Sequence, residues 1–292
     1  MIDGGGESLG LDGLIKERHP CFGEKRGKNG RVHLPVASAC NISCRFCRRA
    51  FNGSEDRPGV ASGIMNADQA LARIGEALEF CPEITVAGIA GPGDALADAG
   101  ALEVFRRIHE RYPELILCMS TNGLMLPSYA RDLNNVGVRA VTVTVNGTNS
   151  ETVQRVVSEI RFAGNVYKDS YGAELLIKRQ LEGIRLASEF AKVKVNIVLI
   201  PGVNDDAIGE TARSVAEAGA ELMNIIPLIP QHEFAGIIAP DCQAIQKARE
   251  AAEAHIPVFR HCCRCRADAF GIPGVKDGAF LTAGQSDTFS HG

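Results

Sequence analysis

The chain contains no tryptophan and only 5% aromatic residues, an absence that carries no functional information by itself. Other absences exclude more. No apolar run approaches the roughly 20 residues a membrane span needs, and the start Met-Ile-Asp-Gly-Gly-Gly lacks a basic flank followed by an apolar signal core. The expectation is a cytoplasmic protein with no membrane partner. There is no surplus of positive charge: 31 Lys and Arg against 35 Asp and Glu give a formal net charge of -4, so no global field gathers nucleic acid or an anionic surface. Nucleic acid is not an expected partner. What is present is an ordinary globular composition, 45% hydrophobic and 23% charged over 292 residues, enough for one large α/β domain or a barrel with appendages. Ten cysteines in a reducing compartment point to metal or redox chemistry rather than to a disulfide framework.

From residue 31 to about 230 short β-branched runs alternate with longer amphipathic stretches, the pattern of βα units on a parallel sheet. The pattern predicts strands at 31–36, 84–89, 115–119, 139–145, 194–200 and 222–228. Helices are predicted at 68–80, 101–112, 128–136, 173–190 and 206–218, where apolar residues recur at spacings of three and four. Six strands suit an open, partial barrel at 31–235, flanked by a Gly-rich, charged segment at 1–30 and a segment at 236–292 that breaks the rhythm. In such barrels chemistry sits at the carboxyl ends of the strands, and here those loops are loaded.

After the first strand, Cys40, Cys44 and Cys47 are separated by three and then two residues. This spacing can bind three irons of a cubane as thiolates and leave the fourth iron open. A zinc site, which wants four ligands and usually paired C-x-x-C units, or three unrelated thiols are the other readings of the spacing alone. After the second strand comes Ala90-Gly91-Pro92-Gly93-Asp94, and after the third Ser120-Thr121-Asn122-Gly123. Each taken alone reads as a simple turn; together, in register on successive strands, they resemble the loops of the radical SAM superfamily. That resemblance implies an α/β fold with a partial (β/α)6 radical SAM barrel and a 4Fe-4S cluster on Cys40, Cys44 and Cys47. The open iron would chelate S-adenosyl-L-methionine (SAM). Gly91, Gly93 and Asp94 become candidates for its amino group, and Thr121, Asn122 and Asn196 for its carboxylate or ribose.

A narrower match lies in His19-Pro20-Cys21-Phe22, the stretch 30–37, Cys40-Asn41-Ile42, Arg57-Pro58-Gly59-Val60, the 90–94 loop and the terminal run Cys262-Cys263-Arg264-Cys265-Arg266-Ala267-Asp268-Ala269. This series is similar to the NifB family of nitrogenase cofactor maturases, in the form that stands without a further cofactor-binding domain. The resemblance implies two additional 4Fe-4S precursor clusters in N- and C-terminal cluster-binding extensions, one on Cys21, His33 and Cys118, the other on Cys262 and Cys265. One SAM would methylate a cluster sulfide, and the radical from a second would remove hydrogen from that methyl. The two precursors would then fuse around the carbide as an 8Fe core. Implied partners are iron–sulfur delivery proteins, nitrogenase cofactor scaffold or carrier proteins, and an electron donor such as ferredoxin.

The residues carry plainer readings beside these. Cys118 on a strand is equally a small core residue, and His33 a core histidine with satisfied nitrogens, although alternation with Val32 and Leu34 turns it toward a lumen. Cys262 and Cys265 are half of a zinc site if His255 and His261 join them, and Cys263 is able to replace Cys262. Cys81 and Cys242 have no partner motif and read as structural. Glu55 and Arg57, with His33, are the catalytic candidates, for proton transfer or SAM binding; a solvated salt bridge is the other reading of the Glu55–Arg57 pair. Two rival functions stay open: a radical SAM enzyme with auxiliary clusters acting on a peptide or small molecule, and a non-catalytic iron–sulfur carrier or scaffold.

Overall fold

The structure, a computed structural model, describes residues 10–23 and 27–275. The elements run α1 (Leu11–Arg18), β1 (Gly30–His33), β2 (Ile42–Cys44), β3 (Ala50–Phe51), β4 (Val60–Ala61), α2 (Ala67–Phe80), β5 (Ile84–Ile89) and α3 (Gly100–Arg111). Then come β6 (Ile116–Thr121), α4 (Leu126–Asn135), β7 (Val138–Thr144), α5 (Ser150–Val156), β8 (Val157–Phe162), β9 (Asn165–Tyr167) and α6 (Ser170–Ser188). The last are β10 (Lys192–Leu199), α7 (Ile208–Glu217), β11 (Leu222–Pro227), α8 (Cys242–Glu253) and β12 (Phe270–Gly271). No helix among the described residues is long and apolar enough to cross a membrane.

The six expected strands form one sheet in the order β11-β10-β7-β6-β5-β1, all parallel, with the short β12 added antiparallel to β1. This is the anticipated partial (β/α)6 barrel. Side-chain alternation fixes its two faces. Val32, Leu34, Ala87, Ile89, Leu117, Met119, Val141, Val143, Val195 and Ile197 join one large core against the helices. The opposite parity lines the lumen. At the amino ends of the strands the lumen is stoppered by α1, whose Ile15 is fully buried against Val86, Ile116 and Ala140.

Local chemistry starts the outer helices. Asn66 and Gln69 form a reciprocal capping box at α2, and Asn149, Asp169 and Asp241 accept backbone N–H groups at the starts of α5, α6 and α8. α8 packs on α7 and leads to Val258, which bridges Met223 at the β11 edge. The chain then passes to β12 at the opposite edge, so residues 259–269 cross the open side of the barrel. A second sheet, β2-β8-β9, grows from the cysteine loop, where Ile42 pairs with Ile160.

Candidate active site

At the carboxyl ends of the strands a cavity of about 620 Å³ is lined by Cys40, Cys44 and Cys47 on one side and by Pro92, Gly93, Thr121 and Asn122 on the other. The two sides meet backbone to backbone. Gly93 N–H donates to Ala37 O at 2.7 Å and Asp94 N–H to Ala39 O at 2.8 Å. A Cβ on Gly93 would lie 2.0 Å from Ala39 O, so only glycine permits this approach. The Asp94 carboxylate is buried and accepts from Thr121 Oγ1 (3.0 Å), Asn122 N (2.5 Å) and Leu96 N (2.9 Å). Its oxygens are thus engaged in joining the second and third loops. Asn122 Nδ2 in turn donates to Asn41 Oδ1 at 2.6 Å, inside the cysteine loop.

Burial, with the Asp94 charge adding to it, pushes the Cys40 thiol up to about 11. Desolvation likewise drives Cys44 well above its ordinary value and raises the more exposed Cys47, where Arg49 and Arg57 oppose it. In the metal-free loop these are neutral thiols; a bound cation reverses that preference, as it does for any coordinating thiol. Three thiols on one loop, opening on a cavity of this size, fit one face of a cubane.

Glu55 and Arg57 lie outside this cavity's lining. Arg57 Nε donates to Glu55 Oε2 at 2.7 Å and its Nη1 to Arg48 O at 2.5 Å, which braces the segment following Cys47. Asn196 is not part of the lining, although it pairs in register with the lining residue Thr144; its Oδ1 accepts from Asn224 Nδ2 at 3.1 Å.

Below the cavity a second group of ligand-type residues gathers. Cys118 is the third residue of a strand that runs on to Thr121, so it lies deeper than a position at the mouth, pairing in register with Gly88, which itself pairs with His33. Cys21 follows α1, and His19 Nδ1 accepts its N–H at 3.1 Å. Burial pushes Cys118 up to about 12, with Cys21 adding to the effect and Lys194 opposing it. Burial raises Cys21 in the same way, again against Lys194. His33 is lowered to about 4 by burial and then by the Arg31 charge, so its ring is neutral. Its Nδ1 lies 3.2 Å from Arg266 O; as donor to that carbonyl, Nδ1 leaves the Nε2 lone pair for a metal.

The segment crossing the open side brings the terminal thiols to the same lumen. Arg31 Nη2 donates to Cys265 Sγ at 3.0 Å. Cys262 is exposed at the edge of this lumen; desolvation by the surrounding protein raises its thiol to about 11, while Lys194 and a hydrogen bond to Asn224 oppose the shift. Arg266, 1% exposed, holds this segment in place: Nη1 donates to Glu55 O (2.6 Å), Nη2 to Asn52 O (2.8 Å) and Nε to Asp268 Oδ1 (2.8 Å). His255 and His261 are exposed. Among the described residues no three His, Cys, Asp or Glu converge tightly enough for a single metal ion; a cubane spreads its ligands over several irons.

Several residues of the site went unnoticed in the sequence. Gln180, 3% exposed, donates from Nε2 to Asn122 O (2.7 Å) and Thr144 O (3.0 Å). Its spacing of four from the apolar Leu176 and Ile184 was the available signal. His232, with φ of 55°, lines the cavity from a turn that Gln231 Nε2 pins to Phe46 O at 3.0 Å. Lys194 and Arg31, both buried in the lumen, also escaped notice.

A cysteine loop over the carboxyl end of a partial barrel defines a radical SAM protein, and the Radical SAM superfamily profile matches residues 34–215. Solved structures share the fold at low identity. Streptococcus suis SuiB aligns with a TM-score of 0.56 at 13% identity over 80% of this chain and 49% of that one. Methylornithine synthase (PylB) aligns at 0.53 and 11% over 85% and 68%. Among curated proteins, the FeMo cofactor biosynthesis protein NifB of Methanocaldococcus infernus is 45% identical over 267 residues, covering 90% of this chain and 88% of that protein. The namesake from Methanocaldococcus jannaschii is 41% identical, covering 88% and 87%; that of Azotobacter vinelandii is 36% identical, covering 91% and 55%. The chain belongs to the NifB family of the radical SAM superfamily.

Proposed function

We propose that this chain is a radical SAM enzyme of nitrogenase cofactor biosynthesis that methylates and fuses two 4Fe-4S precursors into a carbide-centred 8Fe core. The observation that carries this reading is the stacking of two ligand sets in one lumen: the Cys40-Cys44-Cys47 loop at the mouth, and Cys21, His33, Cys118, Cys262 and Cys265 beneath it.

In this reading Cys40, Cys44 and Cys47 hold the catalytic cluster. When bound, cluster and SAM supply reductive cleavage to a 5'-deoxyadenosyl radical, and SAM also supplies the methyl carbon. Gly93 lets the 90–94 loop close on the cysteine loop, and Thr121 and Asn122, held in position by Asp94, line the cavity opposite the thiols, where the amino acid end of SAM would sit beside the Gly91–Gly93 turn. Gln180 fixes the Asn122 carbonyl and so the turn. The substrates are the precursor clusters, one on Cys21, His33 and Cys118, the other on Cys265 with Cys262 or Cys263. The 1–30 and 236–292 segments thus act as ligand-bearing extensions of the 31–235 barrel. Placement of the two sets in one lumen keeps substrate sulfur close to the reacting carbon. Iron–sulfur delivery proteins, an acceptor scaffold or carrier, and a ferredoxin-like donor complete the scheme.

Anaerobic reconstitution with SAM and dithionite, scored for 5'-deoxyadenosine and S-adenosylhomocysteine together, tests this. Both products are expected. Cys40→Ala should abolish radical cleavage, whereas Cys265→Ala should spare it and block formation of a product that activates apo-nitrogenase. 5'-Deoxyadenosine alone would point to a radical enzyme with another substrate, and neither product to a carrier.

A further inference from the structure

Lys194 lies on the lumen face of β10, 5% exposed. Its Nζ donates to Cys21 O at 3.0 Å and stands over the rings of Phe22 (4.7 Å) and Phe259 (5.2 Å). Among the described residues no carboxylate pairs with it. Lys192, two residues earlier on the same face, shows the contrast: its Nζ reaches Asp12 Oδ1 at 2.6 Å and also pairs with Glu221. One carbonyl and two ring faces return only part of what burying an ammonium costs. The remaining donors of Lys194 call for an anion, and its charge acts on Cys21, Cys118 and Cys262. An iron–sulfur cluster ligated by thiolates is such an anion.

We propose that Lys194 is a positioning residue that balances the negative charge of the precursor cluster bound below the cavity, retaining an anionic iron–sulfur substrate and setting its reduction potential. This rests on the reading that Cys21, His33 and Cys118 bind a precursor. A compact ammonium on a flexible stem suits the task, since it approaches a sulfide face as a point charge without entering the iron coordination. Arg31 beside Cys265 gives the terminal thiols a cation of their own.

The test uses the full chain, wild type against Lys194→Met and Lys194→Arg, reconstituted anaerobically with iron and sulfide and without SAM. A Cys40→Ala/Cys44→Ala/Cys47→Ala variant identifies the spectroscopic signal of the lumen iron. Lys194→Met should keep the mouth cluster, lose lumen iron to a chelator about 10- to 100-fold faster, and show the remaining lumen signal at a more negative potential, because removal of a cation disfavours the reduced cluster. Lys194→Arg should restore both readouts. If Lys194→Met also loses the mouth cluster, Lys194→Gln, which keeps a polar head, is read in its place. Wild-type retention and potential in the uncharged variant, or an arginine variant as leaky as the uncharged one, overturns the inference alone. A wild-type chain holding no iron beyond the mouth cluster overturns the precursor reading with it.

Discussion

Gly93→Ala isolates the contact that joins the two halves of the cavity. The added Cβ would lie 2.0 Å from Ala39 O, 2.7 Å from Ala39 C and 2.9 Å from Ala37 O. These are backbone atoms with no rotamer to yield, so the loops must separate by more than an ångström. That separation breaks the Gly93 N–H bond to Ala37 O and the Asp94 N–H bond to Ala39 O. Overpacking costs about 1–3 kcal/mol and each lost hydrogen bond about 1 kcal/mol, giving a destabilisation of about 3–5 kcal/mol. Urea unfolding of the metal-free chain measures it directly. Gly63→Ala is the control, since its Cβ meets nothing within 4 Å and should be neutral or mildly stabilising. Because Ala39 precedes Cys40, Gly93→Ala should also lower iron loading of the mouth. A Gly93→Ala chain with the unfolding midpoint and slope of the control would refute the reasoning, and would return Gly93 to the role of a simple turn residue.

Further outcomes follow from the lumen. In Gly88→Ala the new Cβ would lie 3.3 Å from His33 Cδ2, displacing the ring; lumen iron should fall while the mouth cluster is kept, as Mössbauer spectra would show, and unchanged lumen iron would remove His33 from the ligand set. Folded His33 protonates near about 4 against an ordinary 6.5, so between these values the unfolded chain binds more protons and stability falls as pH is lowered, by up to about 3 kcal/mol. Urea midpoints of the metal-free chain from pH 7 to 4 should show that slope, reduced in His33→Gln. Arg266→Met strips the buried partner of Asp268 and should cost about 3–5 kcal/mol. It should also speed hydrogen exchange across 52–62; unchanged exchange there would mean that Arg266 does not hold that loop.

The barrel was legible in the sequence because most of its strands place β-branched residues against a helix layer, as Val141 and Val143 do on β7. The Cys40 loop was legible because three soft ligands at tight spacing have few other uses. Short elements were not: β2 has three residues and β12 two, too few to display a period, so the small sheet on the cysteine loop and the antiparallel edge strand went unforeseen. α1 stands outside the strand–helix rhythm, and only the tertiary contact of Ile15 reveals it as the stopper. Asp94 read as a ligand contact because a carboxylate in a Gly-rich loop looks available, whereas the fold surrounds it with donors from the next loop. Lys194 is the first residue of the predicted strand 194–200; the strand begins two residues earlier, at Lys192, which turns an apparent terminus into an interior position.

The strap across the open side sets an order of events during synthesis. Asn122 meets the cysteine loop across a sequence separation of 82 residues, whereas Arg31 meets Gly271 across 240. The cysteine loop and the turn at Asn122 therefore leave the ribosome together and early, while the lumen cannot be closed until β12 has emerged, since contacts distant in sequence form late. Assembly of the two levels is thereby separated in time: the cysteine loop is able to meet its partner turn on a growing chain, but the space beneath it becomes a chamber only after translation has passed β12.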